Sequence, residues 1–305
     1  MSRYKLRANY DIENIDSQKM DGTVIVDVPM LSNGELNYGL SHIKKKLYEE
    51  NVYPSEIGFD IMSLATMVYM ADTRIERVVQ DSWTREIELE IPVSNVEIWD
   101  SQIRTVERML KFLTGDLWKI TLSSRAWQFN NLEEVREKSN KYDEVSLFSG
   151  GMDSLISTIN LMENKKNTLL ISHAGEGLTK NAQKNIVNKF DLLYPDVLHT
   201  WLDLWMVFPR DYIPAGGNDN NTRSRSFLFI GYALFAMTGM DNINELLVPE
   251  NGLIALNVPL DETRVGSFST RTTHPFYLSL WNELLVGLGL NLSVKNPYWN
   301  KTKGE

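Results

Sequence analysis

Val145-Ser146-Leu147-Phe148-Ser149-Gly150-Gly151-Met152-Asp153-Ser154-Leu155 is the stretch that decides how this chain is read. A short apolar run ends in a double glycine. A helical stripe begins at once, with Leu155, Ile156, Ile159 and Met162 on one face. Two glycines let the backbone turn sharply and approach a ligand closely. The helix behind them presents unpaired amide donors and the positive end of its dipole, a natural seat for phosphate. Ser149 and Ser154 add hydroxyls, and Asp153 suits a Mg²⁺ ion held beside a phosphate. On glycine spacing alone, an ordinary strand-to-helix turn with a serine cap reads equally well. The segment is neither a Walker loop nor G-x-G-x-x-G.

Outward from this loop the rhythm alternates. Thr168 to Ser172 and Val197 to Trp201 read as further strands, with a helix from about Thr179 to Leu193 between them. A polar loop leads to a helix over Arg223 to Met237 and a short strand over Glu245 to Val248. Strand and helix in alternation predict parallel βαβ units with right-handed crossovers. Upstream, Thr23 to Pro29 reads as a strand. Ser55 caps a helix carrying Ile57, Ile61, Leu64, Ala65 and Val68, and Glu86 to Ile91 alternates as a half-wet strand. Ile103, Val106, Met109, Leu110 and Leu113 form another helical stripe, stopped near Gly115. Polar Asn130 to Glu144 reads as the boundary. The expected division is an α+β domain over 1–138 and an α/β domain over 139–305.

Composition narrows the classes. The chain has 305 residues, a net charge of -9 and no cysteine. A disulfide scaffold, a cysteine nucleophile and a cysteine-based zinc site are excluded. The acidic balance disfavours nucleic acid as a partner, and Lys44-Lys45-Lys46 reads as a solvated helix face. The start lacks the apolar core of a signal peptide, and Phe227 to Met240 is too short to span a membrane. A cytoplasmic protein is expected. His42, His173, His199 and His274 show no metal-ligand spacing.

Ser149-Gly150-Gly151-Met152-Asp153-Ser154 resembles the PP-loop, S-G-G-x-D-S, of the N-type ATP pyrophosphatases. The resemblance implies a Rossmann-like parallel sheet of the adenine nucleotide α-hydrolase (HUP) kind, with helices on both faces. It implies ATP and Mg²⁺ as cofactors, cleavage between the α and β phosphates, and adenylation of an acyl or carbonyl oxygen. Within that group the chain is similar to the 7-cyano-7-deazaguanine synthase family, above all to the QueC-like proteins of bacterial anti-phage operons. The supporting segments are Arg223 to Leu228, Pro249 to Asn257 and Ser269 to Pro275. The expected function is therefore a ligase that adenylates a 7-deazaguanine carboxylate. It would transfer the acyl group to an amine, including the N-terminus of a partner protein.

The resemblance also distributes roles. Asp153, Ser149 and Arg225 are the expected catalytic residues, with Asp153 the Mg²⁺ ligand. ATP is expected on Ser149, Gly150, Gly151, Met152, Asp153, Ser154, His173 and Arg223. An arginine at a helix start is unusual unless an anion meets it, which favours a phosphate for Arg223 and Arg225. Substrate is expected on Glu250, Asn251, Arg264, Arg271 and His274. The synthase holds zinc on a C-terminal cysteine cluster. Without those cysteines, and with an end at Thr302-Lys303-Gly304-Glu305, a shortened C-terminus lacking zinc is expected. The alternatives are the nitrile-forming synthase, a non-catalytic nucleotide-binding subunit of a defence complex and a tRNA-modifying enzyme.

Overall fold

The computed structural model describes residues 3–80, 82–130, 140–219, 223–256, 271–302 and 304. Its first half runs β1 (Arg3–Asn9), β2 (Asp16–Met20), β3 (Thr23–Pro29), the small hairpin β4 (Leu31–Ser32) and β5 (Glu35–Leu36), α1 (Leu40–Glu49) and α2 (Glu56–Arg74). It continues with β6 (Glu86–Val93), α3 (Val96–Asp100), α4 (Ile103–Thr114) and β7 (Leu117–Ser124). The sheet order is β2-β3-β1-β6-β7.

This half departs from the expected α+β arrangement. In its five-stranded sheet β1 pairs in parallel with β3 and β6, and β6 in parallel with β7; there only β2 runs antiparallel, to β3. Parallel neighbours need crossover connections. The segments from β3 to β6 and from β6 to β7 provide them, carrying α1–α2 and α3–α4.

The second half is β8 (Glu144–Leu147), α5 (Met152–Glu163), β9 (Thr168–Ala174), α6 (Gly177–Leu193), β10 (His199–Trp205) and α7 (Arg225–Met237). Then come β11 (Glu245–Leu247), α8 (Gly252–Ala255), α9 (Pro275–Gly287) and β12 (Ser293–Lys295). Every described pairing in its sheet, ordered β10-β9-β8-β11-β12, is parallel. β9 is buried along its whole length, as suits a strand covered on both faces. The chain is thus a mixed α/β protein with parallel sheets flanked by helices.

The two halves share one hydrophobic core. Ser55 caps α2 as expected, its side chain accepting from the Gly58 amide at 3.1 Å. The helix buries more than the expected stripe, however. Residues 58–73 are buried all round, because α2 lies against α7 of the other half. Their approach depends on Gly231, where an added Cβ would stand 2.9 Å from the Ala65 Cβ. The expected boundary falls in 131–139, outside the described residues.

Polar groups tie the same seam. Arg85 is fully buried and donates to Asp72 and Asp116, while Asp72 Oδ2 accepts from the Ser224 amide at the start of α7. Lys46 reaches Asp203 on β10 across the seam, and Lys44 donates to the Phe129 carbonyl within the first half. The lysine run is therefore a docking edge at two of its positions rather than a wholly solvated face. Among the described residues no helix is long and apolar enough to cross a membrane.

Candidate functional site

β8 lies between β9 and β11, with Leu147 opposite Ile171 and Ser146 opposite Leu247. From β8 the chain winds outward through β9 and β10, then returns to add β11 and β12 on the other side. The loops after β8 and β11 consequently diverge at the carboxyl edge and open a crevice there. In open parallel sheets ligands bind at this switch point.

The Ser149–Ser154 loop sits in that crevice. Gly150 has φ +82°, a conformation costly for any residue with a side chain, and an added Cβ would stand 3.0 Å from Gln183 Cγ. Ser149 Oγ accepts from the Gly151 amide at 3.2 Å and lies 3.1 Å from Ser154 Oγ. Ser154 Oγ donates to the Gly151 carbonyl at 2.9 Å. The first intrahelical bond of α5 runs from the Leu155 amide to the Gly151 carbonyl. The amides of Met152, Asp153 and Ser154 precede it, at the positive end of the helix.

Asp153 Oδ2 accepts from both the Asn251 amide, at 3.2 Å, and Asn251 Nδ2, at 2.8 Å. Asn251 is buried and also caps α8 through its side-chain oxygen and the Ile254 amide. One residue thereby fixes a carboxylate on the opposite wall of the crevice. Glu250 next to it is held by its backbone: Asn296 Oδ1 accepts from its amide and Asn296 Nδ2 donates to its carbonyl.

Gln183 went unread in the sequence. Nothing distinguishes it among the polar residues of α6, yet it is fully buried and donates to the Ser149 carbonyl at 3.0 Å. The same nitrogen lies 3.5 Å from the His173 carbonyl. It braces the loop against β9.

His173 is fully buried at the end of β9. Arg225 Nε donates to its Nδ1 at 3.3 Å, and Arg225 Nη2 donates to its carbonyl at 3.0 Å. Burial, reinforced by the Arg225 charge, pushes His173 down to about 3. The Met206 backbone opposes that shift without closing a hydrogen bond to Nε2, which is left without a partner.

The other expected contacts gather elsewhere. Arg223 Nη1 donates to the Thr114 carbonyl at 2.9 Å, and Arg271 Nη1 to the Phe112 carbonyl at 3.0 Å. Both carbonyls belong to the last turn of α4, the negative end of that helix. The anion that Arg223 seemed to require is met there by a helix terminus. His274 caps α9, its Nδ1 accepting from the Phe276 amide at 3.1 Å, and burial followed by the nearby Arg271 lowers its pKa. Arg264 lies outside the described residues.

The arrangement can receive a polyphosphate on the loop amides and hydroxyls. Among the described residues no three His, Asp or Glu side chains group as a metal site. A Mg²⁺ ion fits Asp153 only in the manner usual for nucleotide sites, with one carboxylate and the remaining ligands from phosphate and water.

No family model matches the chain, and no curated protein matches it. Among solved structures, a ketoreductase domain from the bacillaene assembly line aligns over 94% of this chain and 77% of its own. The identity is 8% and the TM-score 0.25, too slight a similarity to carry an argument about fold or chemistry.

Proposed function

We propose that this chain binds ATP at Ser149–Ser154, cleaves it to AMP and pyrophosphate, and uses the energy to join a carboxylate to an amine. The observation carrying the proposal is the loop's position at the switch point, with Asp153 oriented by Asn251 across the crevice.

In this reading the amides of Met152, Asp153 and Ser154 and the hydroxyl of Ser149 take the β and γ phosphates. The substrate carboxylate attacks the α phosphorus, the bond to the β-bridging oxygen breaks, and pyrophosphate departs. Fixed donors aimed at the growing negative charge lower that barrier. Asp153 would hold a Mg²⁺ ion, which supplies charge neutralisation on the phosphates. The amine then attacks the acyl carbon, loses a proton, and AMP leaves. Burial, with Arg225 beside it, keeps His173 neutral, and Arg225 holds it in place beside Gln183, which braces the loop from behind.

The resemblance of residues 145–305 to the QueC-like proteins of anti-phage operons extends the proposal. The carboxylate would then be that of a 7-deazaguanine, and the amine could belong to a partner protein.

The test is the product of ATP cleavage. The chain is incubated with Mg²⁺, ATP labelled at the α phosphate, and 7-carboxy-7-deazaguanine, with and without an amine donor. AMP and pyrophosphate formed only with the carboxylate support the proposal, whereas ADP would sink it. A free nitrile base would identify the synthase reaction, and a protein that gains mass the conjugating one. Saturable ATP binding without turnover, lost in Ser149→Ala, would leave a binding subunit.

A further inference from the structure

Three carbonyl oxygens along the loop are taken by the protein's own donors. Ser172 Oγ donates to the Phe148 carbonyl at 2.5 Å. Gln183 Nε2 donates to the Ser149 carbonyl at 3.0 Å. The Gly151 carbonyl accepts from the Leu155 amide at 3.0 Å and from Ser154 Oγ at 2.9 Å. The first and third sets of donors come from β9 and α5, the immediate neighbours of the loop. Gln183 instead reaches in from α6.

What Gln183 holds is a peptide plane. The bond between Ser149 and Gly150 is planar and trans. Its C=O and N–H therefore point in opposite directions. With the Ser149 carbonyl turned to Gln183, the Gly150 amide is turned away from α6. Among the described residues no hydrogen bond engages that amide, and no second donor meets the Ser149 carbonyl. Only Ser149 ψ and Gly150 φ must rotate to reverse the plane. Gly150 stands at φ +82°, and glycine adopts either sign of φ readily. A reversed plane would present the Ser149 oxygen to an incoming phosphate, oxygen against oxygen.

The residue type fits this task. Gln183 is fully buried, and its Oε1 has no partner. A buried amide with one orphaned end costs stability, whereas an apolar side chain of similar shape would fill the space without that cost. The Nε2 donor is what an apolar side chain lacks. Its orientation is also fixed, because Nε2 lies 3.5 Å from the His173 carbonyl as well. Exchanging the two ends of the amide would set oxygen against both carbonyls.

We infer that Gln183 is a positioning residue that sets the polarity of the Ser149–Gly150 peptide, holding its carbonyl off the phosphate side and its amide on it. Gln183 acts through the loop and touches no ligand itself. The inference rests on the proposed nucleotide site and adds the group that prepares the loop for an anion before one arrives.

The chain contains a single Ser-Gly pair, Ser149-Gly150. Serine labelled with ¹³C at the carbonyl and glycine labelled with ¹⁵N therefore give one NMR signal from this peptide alone. In the ligand-free chain, Gln183→Met should move the carbonyl carbon upfield, the direction of a lost hydrogen bond. Inorganic pyrophosphate with Mg²⁺ should move the Gly150 amide proton downfield in the parent and much less in the variant. Calorimetry should show pyrophosphate bound about tenfold more weakly by Gln183→Met. The kcat of ATP cleavage should fall about 100-fold, with KM for the carboxylate unchanged. Gln183→Met keeps the volume and removes an orphaned atom, so its melting temperature should stay near the parent's. Gln183→Glu, of the same shape, also loses the donor and should repeat the loss of affinity. If both variants melt early, the parent decides: a Gly150 amide that does not move on saturation with pyrophosphate overturns the inference. An unmoved carbonyl signal or an unaltered pyrophosphate affinity in a folded Gln183→Met overturns it too, and ATP cleavage by the parent would then leave the nucleotide site standing. A parent that binds neither pyrophosphate nor ATP overturns both.

Discussion

Asn251 donates its backbone amide and its side-chain amide to the same oxygen of Asp153, at 3.2 and 2.8 Å. The two residues stand nearly a hundred positions apart, on the turns after β11 and β8. Their contact joins the two segments at the switch point and orients the carboxylate there.

Asn251→Ala removes one of those two donors and the cap of α8. Groups that orient a metal-binding or catalytic carboxylate are typically worth about 10- to 100-fold in activity. We expect ATP turnover to fall by that order and stability by about 1 kcal/mol for the lost cap. Asn251→Asp keeps a capping oxygen but sets a like charge against Asp153. It should recover neither the turnover nor, at neutral pH, the melting temperature.

Gly150→Ala places a side chain at φ +82° and within 3.0 Å of Gln183 Cγ. The left-handed conformation alone costs roughly 1–2 kcal/mol. Denaturant melts should report at least that loss, and ATP affinity should drop because the loop must shift. An unchanged affinity would show that the loop does not cradle phosphate.

Asp116→Ala leaves Arg85 buried with one of its three carboxylate partners gone. Breaking a buried pair from one side costs about 3–5 kcal/mol. Urea unfolding should show it. The matching variant Arg85→Met with Asp116→Leu and Asp72→Asn should lose less, since both buried carboxylates leave with the guanidinium and Arg77 keeps Asp219.

His173 governs acid sensitivity. Its folded pKa is depressed to about 3 from an ordinary 6.5, so the unfolded chain takes up the proton first. The stability held by the neutral ring is complete above about pH 6.5 and declines as pH falls towards 3. By about pH 5 the loss should be about 2 kcal/mol. Denaturant melts across this window should steepen with acid in the parent chain and flatten in His173→Gln. An equal slope in both would remove His173 as the cause.

Much of the fold was legible because its signals are local. The strand, double glycine and helix of 144–163 follow from an apolar run, a turn that needs positive φ and a helical stripe. Ser55 and Gly115 mark helix ends by capping chemistry that acts over a few residues. The stripe of α2 gave its existence but not its full burial, because periodicity detects one apolar face and cannot see a second partner. The Arg223 contact with α4 was invisible for a similar reason. An arginine at a helix start calls for negative charge nearby, but sequence spacing could not show that the carbonyl end of α4, remote in the chain, meets it.

By itself the sequence determined a strand–loop–helix unit inside an alternating α/β pattern. Those features rest on residues within one or two turns of each other. Only the tertiary structure decided that the loop meets Asn251 at a switch point. It likewise brought Gln183 behind the loop and laid α2 of the first half against α7 of the second. These depend on strand order and helix packing, which join residues far apart in the chain and leave no periodic trace in it.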